Sequence, residues 1–411
     1  MKRLVLVFVI FLVGIISVDA QIETCDCKAD LDFIVAKLKK MPSYRKQIKE
    51  QKKEQFENLY IELSSKLIDP IGIDACYKIL LQQMTMVNDV HAALKVNTEF
   101  LNKVDSMDNA KLKIYKESNF FKNHPKRNKD ITLLKKELSH KPQTNIEGIY
   151  LYGKSEKIGF YYTENKKDLI GVVLETDLKH WAIGEIRCYL KQTSDGKYDI
   201  YLYNTTTKTP DYLKSLTFEN GRIGSYKKEG NVFNNELSLD NVEVATFKQI
   251  NANTQYLYFA TFSNSKRKEL KAFITNTIGK LTADNIIVDL RGNGGGNNKY
   301  SDPFVKALKH KNTYVLTNSF TASNGEQFTL KLLKNKKATH LGQITRGAIA
   351  YGMNYGYSYN TPTGNFRITP TDMNFHRYIE YEGIGITPEI RLDFSRDWLE
   401  QTLEIIKRDF Q

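Results

Sequence analysis

Near the end of the chain, the order of an apolar run, a turn of small residues and a predicted helix occurs twice. This repeated order is the feature of the sequence that most restricts its possible folds. The run at 285–288 precedes a glycine-rich turn at 292–296, and the run at 313–317 precedes the turn TASNGE at 321–326. Strands that alternate with helices build a largely parallel sheet. We therefore predict an α/β core over residues 246–411, with its reactive groups where these strands end.

Two further domains are predicted upstream of this core. Residues 30–104 contain few glycines and carry apolar residues at three-and-four spacing, which indicates a small helical domain, assigned to 21–135. Short tyrosine-rich segments with alternating polarity follow, separated by turn residues. They predict an antiparallel β domain, a barrel or a sandwich, assigned to 136–245.

The N-terminus has the pattern of an export signal. Lys2 and Arg3 precede an apolar stretch that ends in small residues at Ala20. Such a segment is removed on export, so we predict a signal peptide at 1–20, with an uncleaved membrane anchor as the alternative. The mature protein is then expected to be secreted, periplasmic or on the cell surface, without stable membrane insertion.

The charge of the chain does not indicate a nucleic-acid partner. The formal net charge is +13, but the lysines are spread along the chain and no nucleic-acid-binding motif accompanies them. Solvated surfaces account for such a distribution. We predict no nucleic-acid binding.

Four cysteines remain after removal of the signal: Cys25, Cys27, Cys76 and Cys188. An exported protein meets an oxidising compartment, so one or two disulfides are expected. Cys25 and Cys27 are too close to bridge comfortably to each other, and each could pair with Cys76 or Cys188. The paired CxxC motifs of structural zinc sites are missing, so no metal is predicted.

The glycine-rich turn has two interpretations. The run DLRGNGGG at 289–296 places four glycines within five positions, which lets backbone N–H groups point at an anion. Its spacing fits neither the P-loop nor the dinucleotide-binding GxGxxG motif. An oxyanion hole and a plain turn both remain open.

Ser323 has a catalytic and a structural interpretation. At the start of a helix, both a nucleophile and its oxyanion are favoured by the helix dipole. Ser323 followed by Glu326 also satisfies the capping-box pattern, in which the serine only caps the helix.

Together the motifs resemble those of the tail-specific (C-terminal processing) and tricorn core serine peptidases. The run at 289–296 is similar to that family's Asp-Leu-Arg-x-Asn-x-Gly-Gly, and the run at 321–326 to its Thr/Ser-Ala-Ser-x-x-Glu. The segments LGQITRG at 341–347 and EGIGITPEI at 382–390 follow in the family's order. The resemblance covers about 246–392. It implies a serine-type peptidase with crotonase/ClpP-like β-α units and Ser323 as the nucleophile.

One departure from the family bears on the mechanism. In the bacterial tail-specific branch a lysine follows the Thr-x-Gly motif as the general base, and here that position holds Ala348. The tricorn-like branch instead implies a histidine from the helical N-terminal part and a C-terminal glutamate. These would be His91, at the end of a helix that begins near Asp74, and Glu382.

Other histidines and acids compete for these roles. His376 is the alternative base, and Glu380 competes with Glu382. Asp89 is interpreted as a helix-end charge, and His340 as a residue of a buried strand.

The resemblance also implies the oxyanion donors, the absence of cofactors and a class of substrate. The backbone N–H groups of Gly294, Gly295 and Asn324 would hold the oxyanion, and no metal or cofactor is required. The substrate would be a peptide or protein. The Gly-Leu-Gly-Phe loop of a PDZ module is not recognisable at 145–245, so tail specificity is not expected. The rival hypothesis is an inactive member that binds an apolar ligand or peptide, as the retinoid-binding protein of the eye does. The oligomeric state is left open.

Overall fold

The computed structural model describes residues 25–97, 116–117, 119–164, 166, 168–237 and 243–409. The predicted signal peptide and the end of the predicted helical stretch, from residue 98 onward, lie outside these residues. Within the described ranges, no helix has both the length and the apolar character that a membrane crossing needs.

Helices form the N-terminal part because apolar side chains recur along one face of each. They are α1 (Cys27–Leu38), α2 (Pro42–Gln47), α3 (Gln51–Ser65) and α4 (Ile73–Thr85). Leu31, Phe56 and Leu80 are fully buried in the core that these helices share with the barrel described below.

Two of the four cysteines form a disulfide, Cys27 of α1 and Cys76 of α4, with a Cα–Cα distance of 5.6 Å. Cys25 and Cys188 are free and buried. Burial raises the pKa of both free thiols to about 12, so they remain protonated and unreactive at neutral pH. The crosslink therefore braces α4, the helix that leads toward His91.

The prediction that His91 ends this helix is wrong, because α4 already ends at Thr85. Asp89 favours a loop, since short polar side chains bond to nearby backbone groups and compete with the helix. Its carboxylate accepts a hydrogen bond from the Ala92 N–H at 3.1 Å. His91 consequently lies in a loop.

A short strand carries the chain from this loop to the C-terminal part. The strand β1 (Ala93–Val96) pairs antiparallel with β17 (Phe366–Thr369), which also pairs with β16 (Tyr359–Asn360). The pairing fixes the far end of the loop that bears His91.

The central part is a closed barrel. Two helices, α5 (Asn119–Lys122) and α6 (Ile131–Ser139), precede it. Its strands are β2 (Gly148–Tyr152), β3 (Glu156–Tyr162), β4 (Leu169–Thr176), β5 (Ile186–Ser194), β6 (Lys197–Tyr203), β7 (Pro210–Glu219), β8 (Arg222–Ile223) and β9 (Tyr226–Lys228). Consecutive strands pair antiparallel, and β2 pairs with β9 to close the barrel. Stacked aromatic rings, including Tyr150 and Phe160, fill its core.

The C-terminal part contains a six-stranded sheet, parallel except for its first pair. The strands, in spatial order, are β10 (Ala245–Asn251), β11 (Thr254–Phe259), β12 (Asn285–Asp289), β13 (Asn312–Thr317), β14 (Ala338–Gly342) and β19 (Ile390–Arg391). The helices are α7 (Arg267–Thr277), α8 (Asp302–Ala307), α9 (Asn324–Leu332) and α10 (Trp398–Asp409). Val288 packs with Phe328 of α9 on one face, and Ile287 with Trp398 of α10 on the other. The sheet is thus covered on both faces, as parallel strands require.

This topology brings the two motif turns together. Because β12 and β13 are parallel neighbours, the turns that follow them meet at one edge of the sheet, where the Ala322 N–H donates to the Asn293 carbonyl at 2.9 Å. Beyond β14, β15 (Tyr351–Gly352) pairs with β18 (Met373–Asn374). The segment between β14 and β15 lies beside these turns.

Candidate active site

Ser323 is the residue immediately before α9. Its backbone, with φ +55° and ψ −123°, is a conformation that residues with a side chain rarely adopt, at a cost of about 1–3 kcal/mol. Its N–H donates to the Ala348 carbonyl at 2.8 Å and to the Glu326 carboxylate at 3.0 Å. The surroundings therefore hold a strained serine at the positive end of a helix.

The Glu326 carboxylate organises the turn around Ser323. It is fully buried, and besides the Ser323 N–H it accepts from the Thr345 hydroxyl at 2.6 Å and from the N–H groups of Gly347 and Ala348 at 2.8 and 2.9 Å. Burial raises the pKa of Glu326, and these donors oppose the rise. The contact with Ser323 belongs to the capping pattern, but Glu326 also binds a second segment, so its role extends beyond the helix.

The glycine-rich turn packs directly on Ser323. Gly295 has φ +92°, and a Cβ there would lie 2.5 Å from the Ser323 Cβ and 2.8 Å from the Asn324 nitrogen. Its own N–H donates to the Asn293 side chain at 2.8 Å, so this predicted oxyanion donor is already engaged. The N–H groups of Asn324 and Gly294 donate no hydrogen bond to any of the described residues.

His91 lies in a cluster with two acids. One donor atom of His91 is within 4.8 Å of a carboxylate oxygen of Asp89 and of Glu382. Its Nδ1 is buried and makes no hydrogen bond among the described residues. Burial lowers the pKa of His91, and nearby cations lower it further, while Asp89 raises it. The imidazole is therefore neutral at pH 7, the state that a general base requires.

The Glu382 carboxylate connects the loop of His91 to the segment beside Ser323. It accepts from the Val90 N–H at 2.8 Å and from the N–H groups of Ile349 and Ala350 at 2.9 and 2.7 Å. Burial raises the pKa of Glu382 to about 7, an effect that these donors oppose and that Asp89 adds to. Two carboxyl groups thus share a buried site with one imidazole, and their proton equilibria are linked.

Ala348, at the position of the family's lysine, lies next to Ser323. Its carbonyl accepts from Ser323, and its N–H donates to Glu326. A methyl side chain cannot accept a proton. The residues that follow it bind Glu382, so a single segment spans the distance from the serine to the acid.

His376 and Glu380, which compete with His91 and Glu382 for the roles of base and acid, are not in the cluster of His91. The His376 ring packs edge-on against the Tyr351 ring, with ring centroids 5.8 Å apart, and His376 is not part of the cluster of His91. Glu380 is exposed. His340 is buried in β14, as its sequence context predicts, with Nε2 at 2.7 Å from the Thr317 hydroxyl.

Several residues near the site carried no clear signal in the sequence. Asp89 is fully buried, not an exposed helix-end charge, and accepts from the Thr371 hydroxyl at 2.6 Å. Lys197 of the barrel donates to the Thr345 carbonyl at 2.9 Å, and burial lowers its pKa to about 7. Glu326, by contrast, could be identified in the sequence by its spacing from Ser323.

Asp89, His91 and Glu382 also form a donor set of a kind that binds divalent metals. Each carboxylate oxygen, however, already accepts a hydrogen bond from the protein. An acid–base arrangement accounts for these contacts without a metal.

Comparison with known proteins supports the resemblance. Residues 297–392 match the model of peptidase family S41. This match confirms the resemblance to the tail-specific peptidases and supports a serine-type peptidase that acts on peptides or proteins. No curated protein matches the chain.

Solved peptidase structures are similar to the chain at low identity. The photosystem II D1 C-terminal processing protease is 13% identical with a TM-score of 0.42, covering 93% of this chain and 97% of its own. Mature CPAF is 12% identical with a TM-score of 0.44, covering 93% and 96%. The tricorn protease is 10% identical with a TM-score of 0.41, covering 93% of this chain and 37% of its own. Because these scores are below 0.5, the assignment of residues rests on the geometry of this chain.

Proposed function

We propose that the protein is an exported serine endopeptidase in which Ser323, His91 and Glu382 carry out acyl transfer. The observation that carries this proposal is the chain of contacts from the Ser323 N–H through residues 348–350 to Glu382, whose carboxylate lies beside His91. A nucleophile, a base and an acid on three distant parts of the chain are thereby joined through one buried segment.

The roles follow from the chemistry of each group. Ser323 Oγ attacks the peptide carbonyl while His91 takes its proton, then returns it to the departing amine and leaves an acyl-enzyme ester. Water, deprotonated by His91, attacks the ester, and His91 then gives that proton to Ser323 Oγ as the bond to the acyl group breaks. Ionised Glu382 stabilises the imidazolium and orients its ring. His91 and Glu382 have side-chain atoms within 4.8 Å of each other, a separation that must shorten to hydrogen-bond distance when substrate binds.

The developing oxyanion would be held by backbone donors. The Asn324 N–H at the start of α9 is the first, and the Gly294 N–H is the better second candidate because that of Gly295 is engaged. Such donors act in a site that excludes water, where each is worth about 3–4 kcal/mol of transition-state stabilisation.

Export is part of the proposal. The basic and apolar segment ending at Ala20 supports a cleaved signal, and the Cys27–Cys76 disulfide suits an oxidising compartment. The expected partners are peptides or proteins, with neither a cofactor nor a nucleic acid required.

A fluorophosphonate probe tests the assignment, because it reacts with an activated serine whatever the natural substrate. We expect mass spectrometry to find the label on Ser323 in the wild type and none in Ser323→Ala, with Ser319→Ala as the control. His91→Ala should slow labelling by about 10²- to 10⁴-fold, and His376→Ala should not. Labelling that persists unchanged in both histidine variants would overturn the assigned base.

One observation favours the rival binding function. The barrel has a cavity of about 430 Å³ whose lining includes a row of cross-strand tyrosines, Tyr189, Tyr201 and Tyr212. An aromatic row of this kind suits an apolar ligand or peptide. Stabilisation by apolar ligands in a thermal-shift assay, combined with no labelling of Ser323, would favour binding over catalysis.

A further inference from the structure

The barrel contains an irregularity that faces the candidate active site. In the pairing of β6 with β7, Lys214 and Ser215 lie opposite the single residue Asp199, which makes a β-bulge. Ser215 has φ +54°, and its N–H donates to the Asp199 carboxylate at 2.8 Å. Bulges re-aim side chains. A strained backbone conformation held in place by a buried contact is found most often at functional sites.

Lys214 reaches from the bulge to the loop of His91. Its Nζ donates to the Asp89 carbonyl at 2.7 Å and to the Ala92 carbonyl at 3.3 Å. These carbonyls lie on either side of His91 in the chain. The ammonium group thus closes the loop and fixes the backbone from which the imidazole projects.

The same bulge holds the other parts of the site. The Ser215 hydroxyl is 2.8 Å from the Gly383 carbonyl, next to Glu382, and 3.1 Å from the Arg346 carbonyl. The Arg346 guanidinium donates in turn to the Lys214 carbonyl at 2.8 Å. Two barrel residues therefore contact the base loop, the acid loop and the segment beside Ser323.

Lys214 also acts on the charge of the imidazole. The charged groups around His91 are two carboxyl groups and two cations: Asp89, Glu382, Lys214 and Arg346. The Tyr351 phenol faces the two carboxyl groups. Burial lowers the pKa of His91 most, and the two cations lower it further. Removal of Lys214 should therefore raise the pKa of His91, since one repulsion against the imidazolium is lost.

We propose that Lys214 is a positioning residue for His91. Through Lys214, the barrel contributes directly to the site of the peptidase. The inference rests on the proposed function, and deepens it. Lys214 holds the loop at both sides of the imidazole.

The test compares Lys214→Met with Lys95→Met in the full chain. Lys95, in β1, also joins the region after His91 to β7, through an ion pair with Asp211, but contacts neither carbonyl beside His91. The rate of fluorophosphonate labelling is measured against pH, and the His91 imidazole is titrated by NMR. Lys214→Met should lower the plateau rate by about 10- to 100-fold through misplacement of the base. The NMR titration of His91 should move to higher pH, and Lys95→Met should match the wild type.

The outcomes separate the two proposals. If the wild type is labelled and Lys214→Met behaves identically, or loses rate without any movement of the His91 titration, the positioning role is overturned. If the wild type is not labelled, the proposed peptidase function fails, and this role fails with it. Should Lys214→Met not fold, Lys214→Gln serves instead, because its amide can still donate a hydrogen bond. It should retain more of the plateau rate and show the same shift of the His91 titration.

Discussion

The two halves of the candidate active site are built differently. Around Ser323, a buried carboxylate receives hydrogen bonds from four groups, and the turn is contained within neighbouring β-α units. Around His91, one imidazole nitrogen is buried and makes no hydrogen bond to the part of the chain that the structure describes, and the loop is held by residues of the barrel and of the C-terminal segment. The nucleophile half is thus held mainly by hydrogen bonds among the turns of the C-terminal sheet, with barrel contacts to residues 345–346. The base half depends mainly on contacts between distant parts of the chain.

The sharpest test of this contrast is Glu382→Gln. An amide cannot stabilise an imidazolium and can hold the wrong tautomer, so we expect labelling of Ser323 to fall by about 10²- to 10⁴-fold. The loss should not exceed that of His91→Ala, because Glu382 acts through His91. Stability should fall by only about 1–3 kcal/mol, because an amide NH₂ would face a backbone N–H in the present hydrogen-bonding pattern. Labelling kinetics and urea unfolding measure the two effects.

Glu380→Gln is the matched control, because this exposed residue is two positions away. It should leave both the labelling rate and the urea midpoint unchanged. If the two variants behave alike, Glu382 does not support His91, and the base half has been assigned to the wrong acid.

The nucleophile half is tested by Gly295→Ala. The added methyl would meet the Ser323 Cβ at 2.5 Å and the Asn324 nitrogen at 2.8 Å, so both the serine and an oxyanion donor must move. We expect labelling to fall by about 10²- to 10³-fold, the scale of losing one oxyanion donor.

Gly292→Ala tests whether the loss expected in Gly295→Ala comes from the contact of the added methyl group with Ser323 or from backbone strain. Gly292 also has a positive φ, +77°, but a Cβ there meets nothing within 4 Å. It should cost about 1–2 kcal/mol of stability from the left-handed conformation and leave the labelling rate unchanged. Equal losses of rate in both variants would mean that the turn does not act through its contact with Ser323.

The sequence could predict the nucleophile half because its information is local. Alternating strands and helices imply a parallel sheet, and adjacent parallel strands bring the turns at 289–296 and 318–323 to one edge. The capping spacing from Ser323 to Glu326 was visible as well, although it could not show that Glu326 also binds Thr345 and residues 347–348.

The base half could be predicted only by resemblance. Helical periodicity carried the expected helix on to His91, but α4 ends at Thr85. Asp89 holds the following residues in a loop by accepting hydrogen bonds from Ala92 and Thr371. The alternating strands of the barrel do not reveal a bulge, because two residues facing one appear only when the register of both strands is known. Lys214 therefore had no signal in the sequence.

The pH dependence of Ser323 labelling also tests the difference between the two halves, and its expected effect is the smallest. Burial raises the pKa of Glu382 to about 7 and lowers that of His91 from its usual value. Above pH 7 Glu382 is ionised and His91 neutral, which is the competent state. As the pH falls through about 7, Glu382 takes up a proton and can no longer stabilise the imidazolium. Labelling should then fall by up to about tenfold per pH unit. In Glu382→Gln the remaining activity should follow His91, with an acid limb at lower pH. A wild-type limb below pH 6 would mean that Glu382 stays ionised and that the base half is better solvated than its contacts indicate.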